Sequence, residues 1–197
     1  MEELIGTQKP VRRIIDADEA VTALERAVPG LVDIRRQEPA VFGWREVEEI
    51  LGTALPADFK ALAEWCPPFE LDDFLTVSLP EPGEERDWAR AMEKENGDWG
   101  SNCPAELRPE ELLSAPLMAW ADSAEGDRFF WSGLEGDPDH WPVTVWSRNG
   151  PWWHYEGGTV QFLAELCGAS VEPWALPTVR PRVTGWGTED GGWHRTV

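Results

Sequence analysis

Hydrophobic residues recur at helical spacing in two neighbouring segments, residues 44–51 and 57–66, while charged residues fill the opposite face of each. This pattern predicts two amphipathic helices. Gly52 ends the first, and Leu55-Pro56 begins the second, because a proline is tolerated in a first turn whose N–H groups need no intrahelical partner. The short connection predicts that these two helices pack against each other.

A third amphipathic segment precedes this pair of helices. Residues 16–28 predict a helix capped by Asp16 or Asp18, and a short strand is predicted over residues 11–15.

In the helix that begins after Leu55-Pro56, Asp58 lies in the first turn, where a carboxylate is favourable to the helix dipole.

The second half of the chain changes to short alternating segments separated by Gly, Asn, Asp and Pro. A strand over residues 74–79 and a charged helix over 83–98 lead into it, and residues 159–167 predict a last helix that Gly168 ends. Asn149-Gly150 is typical of a tight hairpin turn. Four strands are predicted, over residues 117–121, 128–132, 142–147 and 151–155. Helices followed by hairpin-linked strands predict an α+β fold, a single domain with a twisted antiparallel sheet flanked by helices.

The two ends of the chain are expected to lie outside the main pattern. We divide the chain into an N-terminal accessory segment with one helix (residues 1–40), an α+β domain (41–170) and a C-terminal tail rich in Trp, Pro and Gly (171–197). No period persists in the tail, so an irregular conformation is expected. Three exposed tryptophans would be costly, so the tail is predicted to pack on the domain.

The chain is strongly acidic, with 37 Asp and Glu against 17 Lys and Arg among 197 residues, a formal charge of −20. Such a charge opposes nucleic acids and anionic membranes and speeds association with basic partners, although it also serves solubility alone. The start of the chain shows no signal-peptide pattern, and no stretch approaches the ~18 apolar residues of a membrane span. We therefore expect a cytoplasmic protein without a nucleic-acid or membrane partner.

Catalytic and metal-binding signatures are not recognisable. The sequence has no G-x-S-x-G, P-loop or G-x-G-x-x-G pattern, its three histidines show no paired-ligand spacing, and its three cysteines are best interpreted as small buried hydrophobic residues. Residues 135–139 slightly resemble a calcium loop but lack its twelve-residue layout, so a turn is preferred. No enzyme activity, metal or cofactor is predicted. A two-carboxylate glycosidase stays open, because carboxyl separation is a three-dimensional quantity.

Tryptophan is unusually frequent, with 13 residues against one tyrosine. Trp131, Trp141, Trp146, Trp152 and Trp153 interleave with the predicted strands. Packing in the core is the default interpretation, and a sugar- or peptide-binding groove is the alternative. Nucleic-acid stacking is disfavoured, because residues 122–140 hold six acidic residues and a single basic one, Arg128.

Several blocks of sequence resemble the SUKH superfamily, of the Smi/Knr cell-wall-assembly-regulator type. Residues 44–60, which include Leu55-Pro-Ala-Asp-Phe-Lys60, are similar to its N-terminal helix pair. Further matching blocks follow in the family's order, at residues 117–121, 126–131, 138–145 and 162–168. The similarity spans about residues 42–168. It departs from the family after the second helix, where a Tyr-Gly or Asn-Gly turn is replaced by Trp65-Cys66-Pro67-Pro68.

The resemblance implies one α+β domain without enzymatic activity. Many bacterial members are similar to immunity proteins that bind and neutralise toxins, often nucleases, and some eukaryotic relatives are regulatory scaffolds. The superfamily has no universal binding residues, so none is transferred to this chain. The matching residues Leu55, Pro56, Trp120, Trp131 and Trp141 are expected to serve the core and turns.

We therefore predict an immunity protein that binds a basic toxin domain through the acidic rim of its sheet, as a monomer or weak dimer. A regulatory scaffold of the same fold, or a carbohydrate-binding or carbohydrate-active protein using the Trp-rich strands, are the alternatives. Electrostatic steering motivates the choice of interface. The predicted partner-binding residues are Glu70, Asp72, Asp73, Asp122, Glu125, Glu135, Asp137 and Asp139.

Overall fold

The computed structural model describes residues 4–102, 109–112, 115–148, 151–189 and 192–196. Within these ranges six helices are α1 (Ala17–Ala27), α2 (Leu31–Ile34), α3 (Trp44–Leu51), α4 (Ala57–Trp65), α5 (Glu85–Asn102) and α6 (Thr159–Cys167). The strands are β1 (Leu4–Gln8), β2 (Phe69–Leu71), β3 (Leu75–Val77), β4 (Leu117–Ser123), β5 (Arg128–Ser132), β6 (Val143–Trp146), β7 (Trp152–Tyr155), β8 (Val183–Glu189) and β9 (Gly192–Thr196).

All nine described strands belong to one sheet, in the order β1-β7-β6-β5-β4-β3-β2-β8-β9. The α+β class predicted from the sequence is confirmed. The sheet is mixed rather than wholly antiparallel, because β1 runs parallel to β7 while every other neighbouring pair is antiparallel. A parallel pair is possible here because α1 to α5 and β2 to β6 lie between β1 and β7 in sequence, which leaves room for a crossover.

The helices pack on one face of the sheet, where they enclose the main core. Alternation along β5 shows the division: Phe129 and Trp131 belong to this core, whereas Phe130 packs with Trp152 and Leu112 in a smaller cluster on the other face. On the helical side, α1 lies against both α4 and α6. We call the face that carries Phe130 and Trp152 the far face.

Local signals explain where α1 begins and where α3 ends. Asp16 caps α1 by accepting the backbone N–H of Glu19 at 2.8 Å, and Gly52 ends α3 with φ 72°, a conformation that glycine adopts without strain. The predicted strand over residues 11–15 is wrong, since β1 lies earlier in the chain. The helix predicted over residues 83–98 corresponds to α5, which continues four residues further, to Asn102.

Both terminal segments are built into the domain. Ala20 and Leu24 of α1 are fully buried in the main core, and β1 forms one edge of the sheet. The tail is irregular over residues 171–182, as expected, but it then forms β8, which pairs with β2, and β9, which pairs with β8. Before β8, the Trp174 ring packs against Trp153 at 5.3 Å. The sequence pattern missed β8 and β9 because their glycines and threonines interrupt the apolar alternation.

Two further observations concern features singled out in the sequence. In the part of the chain that the structure describes, no helix combines the length and the apolar character needed to span a membrane. The predicted Asn149-Gly150 turn lies outside the described residues, as does Cys103. Cys66 and Cys167 are buried thiols, and burial raises the pKa of each to about 12.

Candidate functional site

The eight predicted acidic residues do not form one patch, because they divide between the two ends of the sheet. The β2–β3 and β4–β5 turns lie side by side, since Leu75 pairs with Ser123; we call this the turn end. The loop between β5 and β6, with the beginnings of α4 and α6, forms the loop end. The five residues of β5 separate the turn end from the loop end by about 17 Å along the strand. Glu70, Asp72, Asp73, Asp122 and Glu125 lie toward the turn end, and Glu135, Asp137 and Asp139 lie at the loop end.

At the turn end, Asp72 is already occupied by partners within the chain. Its carboxylate accepts the backbone N–H of Arg180 at 3.0 Å and pairs with the guanidinium groups of Arg180 and Arg182. The side chain is only 6% exposed. Burial alone would raise the pKa of Asp72, but these hydrogen bonds and positive charges outweigh burial and lower it to about 2. Asp72 therefore secures the segment that enters β8 and is a poor candidate for partner contact.

The turn that contains Asp72 has an unusual backbone for its residues. Asp72 and Asp73 have φ of 54° and 53°, and the N–H of Phe74 donates to the carbonyl oxygen of Leu71 at 3.0 Å. This is the left-handed arrangement of a tight hairpin, in which glycine or asparagine is commoner. The ion pairs of Asp72 help to hold it.

The remaining predicted residues at the turn end differ in accessibility. Glu70 is buried in β2, Asp73 is half exposed at 3.6 Å from Arg182, and Glu125 is exposed in the β4–β5 turn. Asp122 lies on β4, and its side chain is about half exposed. Of the five, Glu125, Asp73 and Asp122 retain surface that a partner can reach.

At the loop end, Asp139 also has a structural role. Its Oδ1 accepts the backbone N–H of Ala57 at 2.6 Å and so satisfies the first turn of α4, which has no side-chain cap of its own. Glu135 and Asp137 are different, because both side chains are exposed and line a concave pocket of about 330 Å³. We call this the acidic pocket; it is lined by Ser132, Glu135, Asp137, His140, Trp141 and His154, among others.

Hydrogen bonds orient the polar groups of the acidic pocket. The ring Nδ1 of His140 lies 3.2 Å from Asp137 Oδ2. On the far face of the sheet, Thr144 Oγ1 lies 2.6 Å from Ser132 Oγ and 2.8 Å from His154 Nδ1. The single hydroxyl proton of Thr144 can serve only one of these two hydrogen bonds. The tautomer of His154 therefore sets which group donates and which accepts along the series of hydrogen bonds from His154 through Thr144 to Ser132.

The charge of the acidic pocket selects the class of ligand. None of the described residues that line it is a lysine or an arginine. In the described ranges, no group of three or more His, Cys, Asp or Glu side chains is placed to hold a metal ion. Carboxylates without a fixed cation nearby suit an ammonium or guanidinium group supplied by a partner.

At the same end of the sheet, Asp58 lies in the first turn of α4, as predicted, and it also serves a second helix. Asp58 is buried, and its Oδ2 accepts the N–H of Val160 at 2.9 Å, so it caps α6, which has no side-chain cap of its own. Burial raises its pKa to about 6, against the lowering effect of bonds from Val160 and Phe59. Arg13 lies nearby and donates to the carbonyl oxygens of Asp139, Trp141 and Glu156. The Leu-Pro-x-Asp pattern thus joins α4, α6 and the β5–β6 loop.

The tryptophans of the central strands serve the core. Trp131, Trp152 and Trp153 are fully buried and Trp141 is 3% exposed, so none of them offers a face for stacking a sugar ring. Trp131 also donates its indole N–H to Thr159 Oγ1 at 2.7 Å. The interpretation of these residues as core is confirmed, and Trp146 alone of the five is partly exposed.

A second concave region was missed in the sequence. A groove of about 340 Å³ opens beside α5, and we call it the tryptophan groove. Trp88 and Trp186 were each visible as apolar residues, one on a charged helix and one in the tail, but nothing in the sequence brought them together. The described residues that line it are Pro68, Thr76, Val77, Ser78, Leu79, Trp88, Asp122 and Trp186.

Comparisons with known proteins add no relative. No family model matches the chain, and neither a curated protein nor a solved structure is significantly similar to it. The SUKH resemblance therefore stays a prediction, and function has to be argued from the site.

Proposed function

We propose that the protein is a non-enzymatic binding module that neutralises a basic protein toxin, such as a nuclease, by forming a stoichiometric complex. The acidic pocket carries this proposal. It is concave, it presents the exposed carboxylates of Glu135 and Asp137, and the described residues that line it include no basic side chain apart from histidine.

Electrostatics favours a basic partner over a neutral one. The formal charge of −20 attracts a positively charged protein over long distances, and the fixed carboxylates at the loop end give the encounter a direction. A nuclease must attract phosphates, so its active-site surface is commonly basic and complementary to such a face. The resemblance to SUKH proteins, many of which are similar to immunity proteins, agrees with the proposal of a basic toxin as partner.

A capture experiment with matched variants tests the proposal. Purified protein serves as bait in lysate of the source cell at low and high salt, together with Glu135→Lys and Glu38→Lys. Both replaced residues are exposed. Glu38 follows α2, close to the residues that contact the end of α4, so it lies away from the acidic pocket. We expect capture of a basic protein that weakens at high salt, and association that Glu135→Lys slows about tenfold while Glu38→Lys leaves it nearly unchanged.

The captured protein is then assayed for toxicity or nuclease activity with increasing amounts of the binding module. Complete inhibition at a 1:1 ratio supports neutralisation. A captured protein whose activity is unaffected points to the regulatory-scaffold function instead. If the partner is acidic, or if Glu135→Lys and Glu38→Lys behave alike, the proposal is wrong.

A further inference from the structure

The tryptophan groove combines an apolar wall with one carboxylate. Trp88 and Trp186 are partly exposed, while Val77 and Leu79 of the same groove are buried. Partly exposed tryptophans beside a buried apolar floor are the type of surface in which binding hot spots concentrate. The groove also touches a smaller cavity between α5 and β4, because Ser78, Trp88 and Asp122 line both.

Internal contacts hold the groove in shape. The indole N–H of Trp88 donates to Ser78 Oγ at 3.2 Å, and its ring lies 6.1 Å from that of Phe59. The backbone N–H of Trp186 donates to the carbonyl oxygen of Pro68 at 2.8 Å. Because these contacts already fix the side chains of the groove, binding of a ligand there costs little conformational entropy.

Asp122 is the one carboxylate among the described residues that line the groove, and its ion pair within the described chain is a long one. Arg128, its cross-strand neighbour, hydrogen-bonds to Glu95 and stays 3.6 Å from Asp122. Among the described residues, no group donates a hydrogen bond to the Asp122 side chain. A half-buried carboxylate without a donor would be left desolvated by a purely apolar occupant, which favours an occupant that brings its own donor.

We propose that the tryptophan groove anchors an arginine side chain of the basic partner, with its guanidinium at Asp122 and its methylene stem against Trp88 and Trp186. This inference rests on the proposed function, because it names a residue type in the partner. Arginine suits the groove better than lysine, since its planar guanidinium binds a carboxylate through two N–H groups, stacks on indole and is more weakly hydrated. The surplus negative charge of the chain favours the same occupant.

The test uses model ligands and therefore does not depend on finding the partner. N-acetyl-arginine amide is titrated into the full chain while the indole N–H resonances of Trp88 and Trp186 are followed by NMR. N-acetyl-citrulline amide is the matched neutral ligand. Trp88→Phe and Trp186→Phe assign the two resonances, and Asp122→Asn removes the carboxylate charge while keeping the shape of the side chain. Asp18→Asn, an exposed residue in the first turn of α1, gives the same change of charge elsewhere.

We expect saturable shifts of both resonances with the arginine ligand, and about tenfold weaker binding of the citrulline ligand. Asp122→Asn should weaken arginine binding by a similar factor, and Asp18→Asn should not. Equal binding of the two ligands, or arginine binding that Asp122→Asn leaves intact, overturns the proposal. Shifts that depend on protein concentration without ligand assign the groove to a second copy of the chain and also overturn it. Capture of a partner through the acidic pocket can succeed or fail independently of these results.

Discussion

Each end of the sheet holds a buried aspartate, and the two are stabilised in opposite ways. At the turn end, Asp72 is surrounded by two arginines and a backbone N–H, and its pKa falls to about 2. At the loop end, Asp58 is desolvated; backbone N–H groups are its hydrogen-bond donors and Arg13 acts on it only through its charge, so its pKa rises to about 6. Burial is common to both, so the positive charge in direct contact decides the direction.

This difference also separates structural from accessible acidic residues. Asp72, Asp58 and Asp139 each accept a hydrogen bond from a backbone N–H group that begins or joins elements. Glu135 and Asp137 lie around a pocket at the same end as Asp58 and remain exposed, although Asp137 also accepts the backbone N–H of Asp139 at 3.1 Å. A large negative charge thus divides into residues that hold the fold and residues that a partner can reach.

The largest effect is expected for Asp58→Asn, measured as a function of pH. Because the folded-state pKa of Asp58 is raised from 3.8 to about 6, its contribution to stability is fully present below about pH 4 and is lost as the pH rises through 6. The asparagine does not titrate. The unfolding free energy of the wild type relative to Asp58→Asn should therefore fall by about 3 kcal/mol between pH 2.5 and pH 7.5, as measured by urea unfolding.

A second variant checks the cause of this pH dependence. The charge of Asp139 raises the pKa of Asp58, while the charge of Arg13 lowers it. Asp139→Asn keeps an oxygen for the Ala57 N–H and removes the negative charge, so the transition should move to lower pH. A free-energy difference between wild type and Asp58→Asn that stays constant across this range would contradict the assignment.

An intermediate effect is expected at the turn end, from Asp72→Ala compared with Asp73→Ala. Both positions have nearly the same positive φ, so the backbone strain of alanine cancels in the comparison. Asp72→Ala removes the charged acceptor of Arg180 and Arg182 and should cost about 2 kcal/mol more than Asp73→Ala at pH 7. The half-exposed Asp73, 3.6 Å from its arginine, forms a weak surface pair.

The sign of the pH dependence is opposite to that of Asp58. Because the pKa of Asp72 is lowered, its stabilisation is present above about pH 4 and fades as the pH falls toward 2. Urea unfolding at pH 7, 4 and 2.5 should show the gap between the two variants closing at the acidic end. Equal costs at pH 7 would show that the arginines do not stabilise the turn.

The spacing of the hydrophobic residues and the residues typical of turns predicted those parts of the fold that depend on residues close together in sequence. The helices around Val47 and Phe59 and the strands around Phe129 and Val145 follow from spacing alone, and so does the α+β class. The capping of α6 by Asp58 did not follow, because 102 residues separate Asp58 from Val160. Pairing of Asp72 with Arg180 and Arg182 is equally remote in sequence.

The candidate site shows the same limit. Glu135 and Asp137 were singled out by charge and loop position, and both do line a pocket. Asp72 and Asp139 satisfied the same criteria and proved to be internal partners. A sequence gives the charge of a side chain but not the donors that the folded chain brings to it, and those donors decide which carboxylates are free.

The smallest effect is expected for Glu135→Lys on stability, although this variant should have a large effect on partner association. The Glu135 carboxylate has no hydrogen-bond partner among the described residues; its backbone N–H donates to the carbonyl oxygen of Gly133, and its backbone oxygen accepts the indole N–H of Trp141 at 3.2 Å. A lysine keeps that backbone oxygen, so the unfolding free energy should change by less than about 0.5 kcal/mol at pH 7. Urea unfolding followed by tryptophan fluorescence measures it. A loss of 2 kcal/mol or so would place Glu135 with Asp72 among the residues that hold the fold, and the accessible group at the loop end would then reduce to Asp137.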